Sequence, residues 1–326
     1  MYNTIRLEKG LYNLAGKTFT QALSEMDPDI AYADTEIRGL DAFERQLKRF
    51  DIKVSGPDCD TVEKFFATTE SAVLFPEFVK RSVRAGMNSA VLGEIVAATS
   101  ETNSMDCRGI TVTAEENKPY STATVQGAAL PGTAITLSDS LVNLVKYGRT
   151  ITTSYEVIRQ QKLDVLAVTL KSIGAQIARA VTAQAVKVLE NGVTADSMSG
   201  SDFNYGELSA FWGKFEDYDM TTIIAAPETM AKILAFDQMK NANGDFMATG
   251  IVKTPFGASL VKSTAVAENT IIGLDKSCAL EMINGSDIVL EVDKLIDRQV
   301  DAISVSVTTG FAKIIPDAVR ILDVAE

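Results

Sequence analysis

The chain has 326 residues, 46% of them hydrophobic and 23% charged: too apolar for a disordered chain and long enough for two globular lobes. Its formal net charge is −12, and its basic residues are not clustered, which excludes a protein that grips nucleic acid by neutralising phosphates. It contains no histidine, so Ser-His-Asp and Cys-His nucleophilic sites, His-bearing zinc sites and the commonest general acid–base residue are all ruled out.

Residues 1 to about 60 mix charged and apolar positions without long periodicity, and Asp27-Pro28-Asp29 and Ser55-Gly-Pro-Asp58 punctuate them as turns. Met1–Arg6 lacks a basic stretch followed by an apolar run, and no stretch of about 18 apolar residues occurs, so neither a secretory leader nor a membrane span is expected. Asp41–Phe50 is predicted as a short amphipathic helix with Phe43, Leu47 and Phe50 on one face. The basic pairs Lys48-Arg49 and Lys80-Arg81, the latter with Arg84, read as solvated helix faces. A leading segment with so little core reads as an arm whose partner surface lies elsewhere.

From Ser71 the pattern becomes globular: Pro76 suits a first helical turn, and the helix Glu77–Ala85 is expected to stop at Gly86. Over 101–147 the chain alternates at Ile110, Val112 and Ala114, passes a polar tip with Pro119 and Gly132, and returns through Ile135, Leu137 and Leu141. This reads as a two-stranded ribbon too poor in core to stand alone.

A strand over Asn143–Thr152 leads into the strongest signal in the chain. Thr153-Ser-Tyr-Glu156 has the form of a capping box. Behind it Tyr155, Ile158, Val165, Leu166, Leu170, Ile173, Ile177, Val181, Ala185 and Val188 recur at steps of three or four as far as Asn191-Gly192, with one longer gap around Lys162. A single helix over Thr153–Glu190 would be about 55 Å long at 1.5 Å per residue. Beyond it come a short helix with Trp212, a buried strand Thr221–Ala226, a helix opened by Pro227, a turn at Asn243-Gly-Asp-Phe246, and strands over Pro255–Lys262 and Thr270–Leu274. Ile303, Val305 and Val307 then alternate along a final strand.

No residue is assigned a catalytic, cofactor-binding or metal-binding role, and no cofactor is expected. Cys59, Cys107 and Cys278 lie far apart and read as reduced thiols. Asp58-Cys-Asp60 and Asp217-Tyr-Asp219 read as turns, Gly148 as a bulge or bend, and no phosphate-binding glycine loop occurs.

The strand Val145–Ile151, its Thr-Ser cap, the long helix and its small-residue end Ile177–Ala180 resemble the tailed-phage major capsid protein of the Hong Kong 97-type fold. The run Leu74-Phe-Pro-Glu-Phe-Val79 is similar to the start of that family's peripheral domain, and Phe311…Pro316-Asp-Ala318 to its C-terminal ending. The resemblance implies an α+β fold divided into an N-terminal arm (1–70), peripheral domain (71–100, 148–192), extended loop (101–147), axial domain (193–293) and peripheral return strands (294–326). It further implies a non-enzymatic subunit that assembles through pentamers and hexamers into an icosahedral shell around double-stranded DNA. Its implied partners are further copies of itself, scaffold, portal and decoration proteins, with no membrane and no sequence-specific DNA contact. Assembly would take place in the cytoplasm of a bacterial host. An encapsulin-like nanocompartment subunit shares the fold; the long leading arm weighs against it, since those shells carry an N-terminal helix there. A two-lobed enzyme or binding protein is the reading from another class.

Overall fold

The computed structural model describes residues 5–14, 16–33, 35, 37–87, 90–104, 106–112, 126, 135–241, 252–295 and 300–325. The ribbon tip, the Asn243–Phe246 turn and Lys118 lie outside them. The chain divides into two compact units, residues 1–88 with 148–177 and 288–306, and residues 89–147 with 178–287 and 307–326.

The leading residues of the first unit are folded. Helix α1 (Phe19–Met26) opens on a capping box between Thr18 and Gln21, and α2 (Ala42–Arg49) on one between Asp41 and Glu44. A 3-10 turn (Val62–Phe66) and α3 (Thr69–Ala72) lead into α4 (Leu74–Met87). Phe43 and Leu47 are buried, as the α2 pattern predicts, and Leu23, Val62 and Phe65 are fully buried. The expectation of a leading segment with little core is therefore corrected: its apolar residues are spread over several short helices, so no long window shows a periodic face.

Charged residues tie these helices together. Glu77 of α4 accepts hydrogen bonds from Thr20 (2.8 Å) and Arg81 (2.9 Å), and Arg81 reaches Asp41 and covers the Phe43 ring at 4.4 Å. Arg49 donates to the Ile5 carbonyl and pairs with Glu70 at 3.3 Å. Arg49 and Arg81 are thus linkers between helices, not solvated faces. Deeper still, Arg45 bonds Asp27 at 2.9 Å and the two side chains are 1% and 0% exposed.

Helix α4 does not stop at Gly86. A Cβ there would lie 2.0 Å from the Lys171 carbonyl oxygen, and one on Gly174 would lie 2.1 Å from that of Val83. The two glycines are spacers at a helix crossing, where the missing side chains let two backbones touch.

Helix α5 (Ala90–Gly93) and strands β1 (Ala98–Glu101), β2 (Asp106–Val112), β3 (Ile135–Asn143) and β4 (Val145–Ser154) follow. Gly148 in β4 is a close-approach position and not a bulge: a Cβ would lie 2.6 Å from the Val305 carbonyl oxygen. The expected single long helix is two. Helix α6 (Tyr155–Gln160) is capped by Ser154, whose hydroxyl accepts from Val157 N–H at 3.4 Å, one residue later than predicted. Gln161 is extended (φ −71°, ψ 138°), and α7 runs from Leu163 to Glu190, about 42 Å at 1.5 Å per residue. The break falls where the apolar spacing lengthens, at Lys162.

Within α7, Leu163, Leu166, Leu170, Gly174, Ile177, Val181, Ala185 and Leu189 form one buried stripe. The helix is long and apolar enough to cross a bilayer by length and composition, but this stripe, with Lys171, Arg179 and Lys187 exposed, is that of a packed core helix. Its C-terminal carbonyls at Leu189 and Asn191 accept from the Lys313 ammonium, which complements the helix dipole. Burial there raises the Glu190 carboxyl and lowers the Lys313 ammonium from their ordinary values. A raised carboxylate favours the protonated form in the folded state, so ionised Glu190 is a cost that appears as pH rises through the ordinary carboxylate range. Glu190→Gln is accordingly expected to match the native chain in melting temperature near pH 4 and to exceed it at pH 8. A Gln variant that melts lower at pH 8 than at pH 4, relative to native, contradicts this.

The second unit continues with β5 (Ala195–Ser197), α8 (Tyr205–Gly213), β6 (Thr222–Ala225), α9 (Pro227–Ala235), α10 (Asp237–Asn241), β7 (Ser259–Lys262) and β8 (Thr270–Leu274). Strands β9 (Leu280–Leu295), β10 (Val300–Lys313) and β11 (Val319–Asp323) close the chain. Every residue of β6 is buried, and α9 begins at Pro227, as predicted. The five-stranded sheet has the order β5-β11-β8-β6-β7, and Phe211, Ile223, Ile233, Ile271 and Leu322 pack on it in one core. A four-stranded sheet, β1-β9-β10-β4, contains the Ile303, Val305, Val307 alternation, all three buried.

Val319–Asp323 pairs antiparallel with β8 and parallel with β5, so the last strand belongs to the five-stranded sheet. A short run ending a chain carries no local signal of which sheet edge it will join.

Candidate assembly surfaces

Strands β2 and β3 pair antiparallel, with Ile110 opposite Leu137 and Val112 opposite Ile135, and the register shifts at Gly109. At the ribbon's base, Leu144, Ile283 and Ala312 form a small buried cluster with Cys107 and Val142 against it. Gly285 and Gly310 leave room for Leu144, since a Cβ on either would lie 2.7 or 2.9 Å from its methyl carbons. The ribbon is thus firmly rooted.

Among the described residues its outer face has no cover. Ile135, Leu137 and Leu141, all on one side of β3, are 70%, 61% and 55% exposed, and Ile110 across from Leu137 is 51% exposed. Apolar alternation ordinarily marks the face turned to the core. Here that face is turned outward, and four large apolar side chains side by side are the mark of an interaction surface. A smaller apolar group lies on α6 and α7, where Val157, Val165 and Val168 are exposed. Sequence periodicity had put Val165 on the buried stripe; the offset at the helix break turns it outward. In the second unit Trp212, 44% exposed, stacks on Phe256 at 5.7 Å.

Of the acidic pairs, one carboxylate, that of Asp60, is seen on a backbone amide. Asp60 accepts from Lys53 N–H at 2.8 Å, and Asp219 N–H donates to Asp275 at 3.2 Å. Among the described residues no three His, Cys, Asp or Glu side chains are placed to hold a metal ion. None of the three cysteines is in a disulfide, and burial pushes the Cys278 thiol up. Cys59 has a role that its isolation in the sequence concealed: its sulfur accepts from Asp164 N–H at 3.2 Å, in the first turn of α7. Only a fold that brings residue 59 to residue 164 reveals it.

The family profile of phage capsid proteins matches residues 136–322, more than half of the chain. Similar solved structures include the virus-like particle from Pyrococcus furiosus, at 13% identity and TM-score 0.56, covering 76% of this chain and 98% of that one. The capsid of an empty GTA particle follows at 13% identity and TM-score 0.55, covering 73% and 90%. The SrpI encapsulin of Synechococcus elongatus is similar at 12% identity and TM-score 0.50, covering 71% and 85%. No curated protein matches the chain.

Proposed function

Because the chain belongs to the phage capsid protein family and has the Hong Kong 97-like fold, we propose that it is the major subunit of an icosahedral shell enclosing double-stranded DNA. The observation that carries the proposal is the rooted ribbon whose apolar face is uncovered among the described residues, a surface of the kind that marks a contact with another molecule. A closed shell of identical copies supplies such a neighbour to every ribbon. Residues 101–147 are then the extended loop, and the unit built on the five-stranded sheet, β11 included, is the axial domain that meets its copies around pentamers and hexamers. The leading helices, docked on α4, join the peripheral domain. DNA is enclosed without sequence-specific contacts, in keeping with the net charge of −12. Scaffold, portal and decoration proteins are the further partners, and assembly takes place in the cytoplasm of a bacterial host.

Expressed alone or with a scaffold, the chain should form capsomers or closed particles by light scattering and negative-stain microscopy. A species of about 35 kDa at every micromolar concentration tested would sink the proposal. Leu137→Lys with Ile135→Lys should leave the circular dichroism and melting temperature close to native, since both side chains are mostly exposed. The same pair should abolish particles, and normal particles from it would show that the ribbon face is not an interface.

A nanocompartment enclosing protein is favoured by one observation. The leading segment folds as helices within its own subunit, which removes the argument that a long free arm separates this chain from such shells. The contents of purified particles decide: nuclease-protected DNA supports the phage reading, and a co-purifying enzyme the other.

A further inference from the structure

We propose that residues Cys59–Val62 are a clip that holds the spine broken, and that on its release α6 and α7 join into one helix. The sequence at the break, Gln160-Gln161-Lys162, has no Gly or Pro and consists of good helix formers, so the interruption is not written locally. Three of the amides at the break, those of residues 163–165, are met from outside or by a local side chain. Leu163 N–H, which a continuous helix would bond to Arg159, donates to the Asp60 carbonyl at 2.9 Å. Asp164 N–H donates to the Cys59 sulfur at 3.2 Å, and Val165 N–H to the Asp164 carboxylate at 2.7 Å. The Gln161 carbonyl accepts from Val62 N–H at 3.0 Å, and Thr61 bridges Lys162 antiparallel.

A segment that satisfies the orphan groups of a helix end one by one sets up two alternatives of similar hydrogen-bond count. With the clip engaged, Gln161 is extended. With it withdrawn, the same amides find their i−4 carbonyls. Because α6 follows β4 without a linker, joining the helices re-aims β4, the strand that continues into the ribbon. The switch stands on the subunit's own geometry. Its use, fitting one ribbon to neighbours in non-equivalent positions, rests on the shell reading.

The test is hydrogen exchange of amides 162–165, measured on the unassembled subunit so that failure to switch and failure to form shells are read separately. Val62→Pro removes the donor to Gln161, and proline suits the site, which is the first residue of its 3-10 turn after an extended Thr61 (φ −87°, ψ 160°). Val62→Ala keeps the N–H and controls for lost packing. Val62→Pro is expected to slow exchange of these amides by about tenfold or more, and Val62→Ala to leave them near native. Adding Lys162→Pro, which a joined helix cannot hold, should cancel the slowing. If Val62→Pro does not fold, Gln161→Ala with Lys162→Ala raises helix propensity without touching buried residues and should slow the same amides. Unchanged or faster exchange in the folded variants overturns the clip.

Discussion

Gly174→Ala is expected to lower the melting temperature and the soluble yield of the subunit markedly. The added methyl would sit 2.1 Å from the Val83 carbonyl oxygen and 3.0 Å from Met87 N, both backbone atoms that no rotamer change can move. Relief requires α4 and α7 to part along their crossing, which uncovers Val79 and Val83 on one helix and Leu170 on the other, all at 0% exposure. Overpacking in a close-fitted core typically costs about 1–3 kcal/mol, and a backbone-to-backbone clash belongs at or above the top of that range. Against a total stability of about 5–15 kcal/mol this is a large fraction. Gly86→Ala meets the Lys171 carbonyl oxygen at 2.0 Å and should behave alike. Because the two glycines relieve the same crossing, the double variant should cost less than the sum of the singles. Thermal melting and soluble yield are the measurements, and a Gly174→Ala subunit that melts within about 2 °C of native would show that the crossing is looser than described.

The same crossing shows what was legible in the sequence. The middle of the α7 stripe, Leu166, Leu170, Ile177, Val181 and Ala185, was legible because a long helix repeats its signal every turn, while Leu163, Gly174 and Leu189 were missed and Val165 was misplaced. Gly86, by contrast, was read as a stop, since a glycine after an apolar helix marks a C-terminus unless another helix needs the space. The Cys59 contact depends on residues about a hundred positions apart and nothing local encodes it, while the α6–α7 break left only the lengthened apolar spacing at Lys162 as a local trace. Pro227 and the Thr222–Ala225 strand were legible because proline and a fully buried β-branched run each admit few conformations. The ribbon's alternation was legible as strands, but its outward direction was not, since a pattern of period two states that one face is apolar without stating what covers it. For a shell subunit, that missing cover is the functional information.

Asp27→Ala is expected to destabilise the first unit by about 3–5 kcal/mol, the cost of leaving a buried cation without its partner. Asp27 holds Arg45 through its carboxylate at 2.9 Å and its backbone carbonyl at 2.5 Å, and accepts from the Tyr32 hydroxyl at 2.7 Å. The guanidinium also reaches Asp29 at 2.8 Å and lies 4.5 Å over the Tyr32 ring. Removing the Asp27 carboxylate leaves Arg45 with Asp29 alone as a charged acceptor, and that carboxylate is 77% exposed to water. The carbonyl of residue 27 survives in the variant, so the loss measures the carboxylate and not the whole network. Replacing both partners by apolar residues, Asp27→Leu with Arg45→Met, removes the unpaired charge and should recover a substantial part of the loss. Urea unfolding of the two singles and the double gives the coupling energy directly. A single Asp27→Ala cost below about 1 kcal/mol would mean that water reaches Arg45 and that the leading helices are held by their apolar contacts alone.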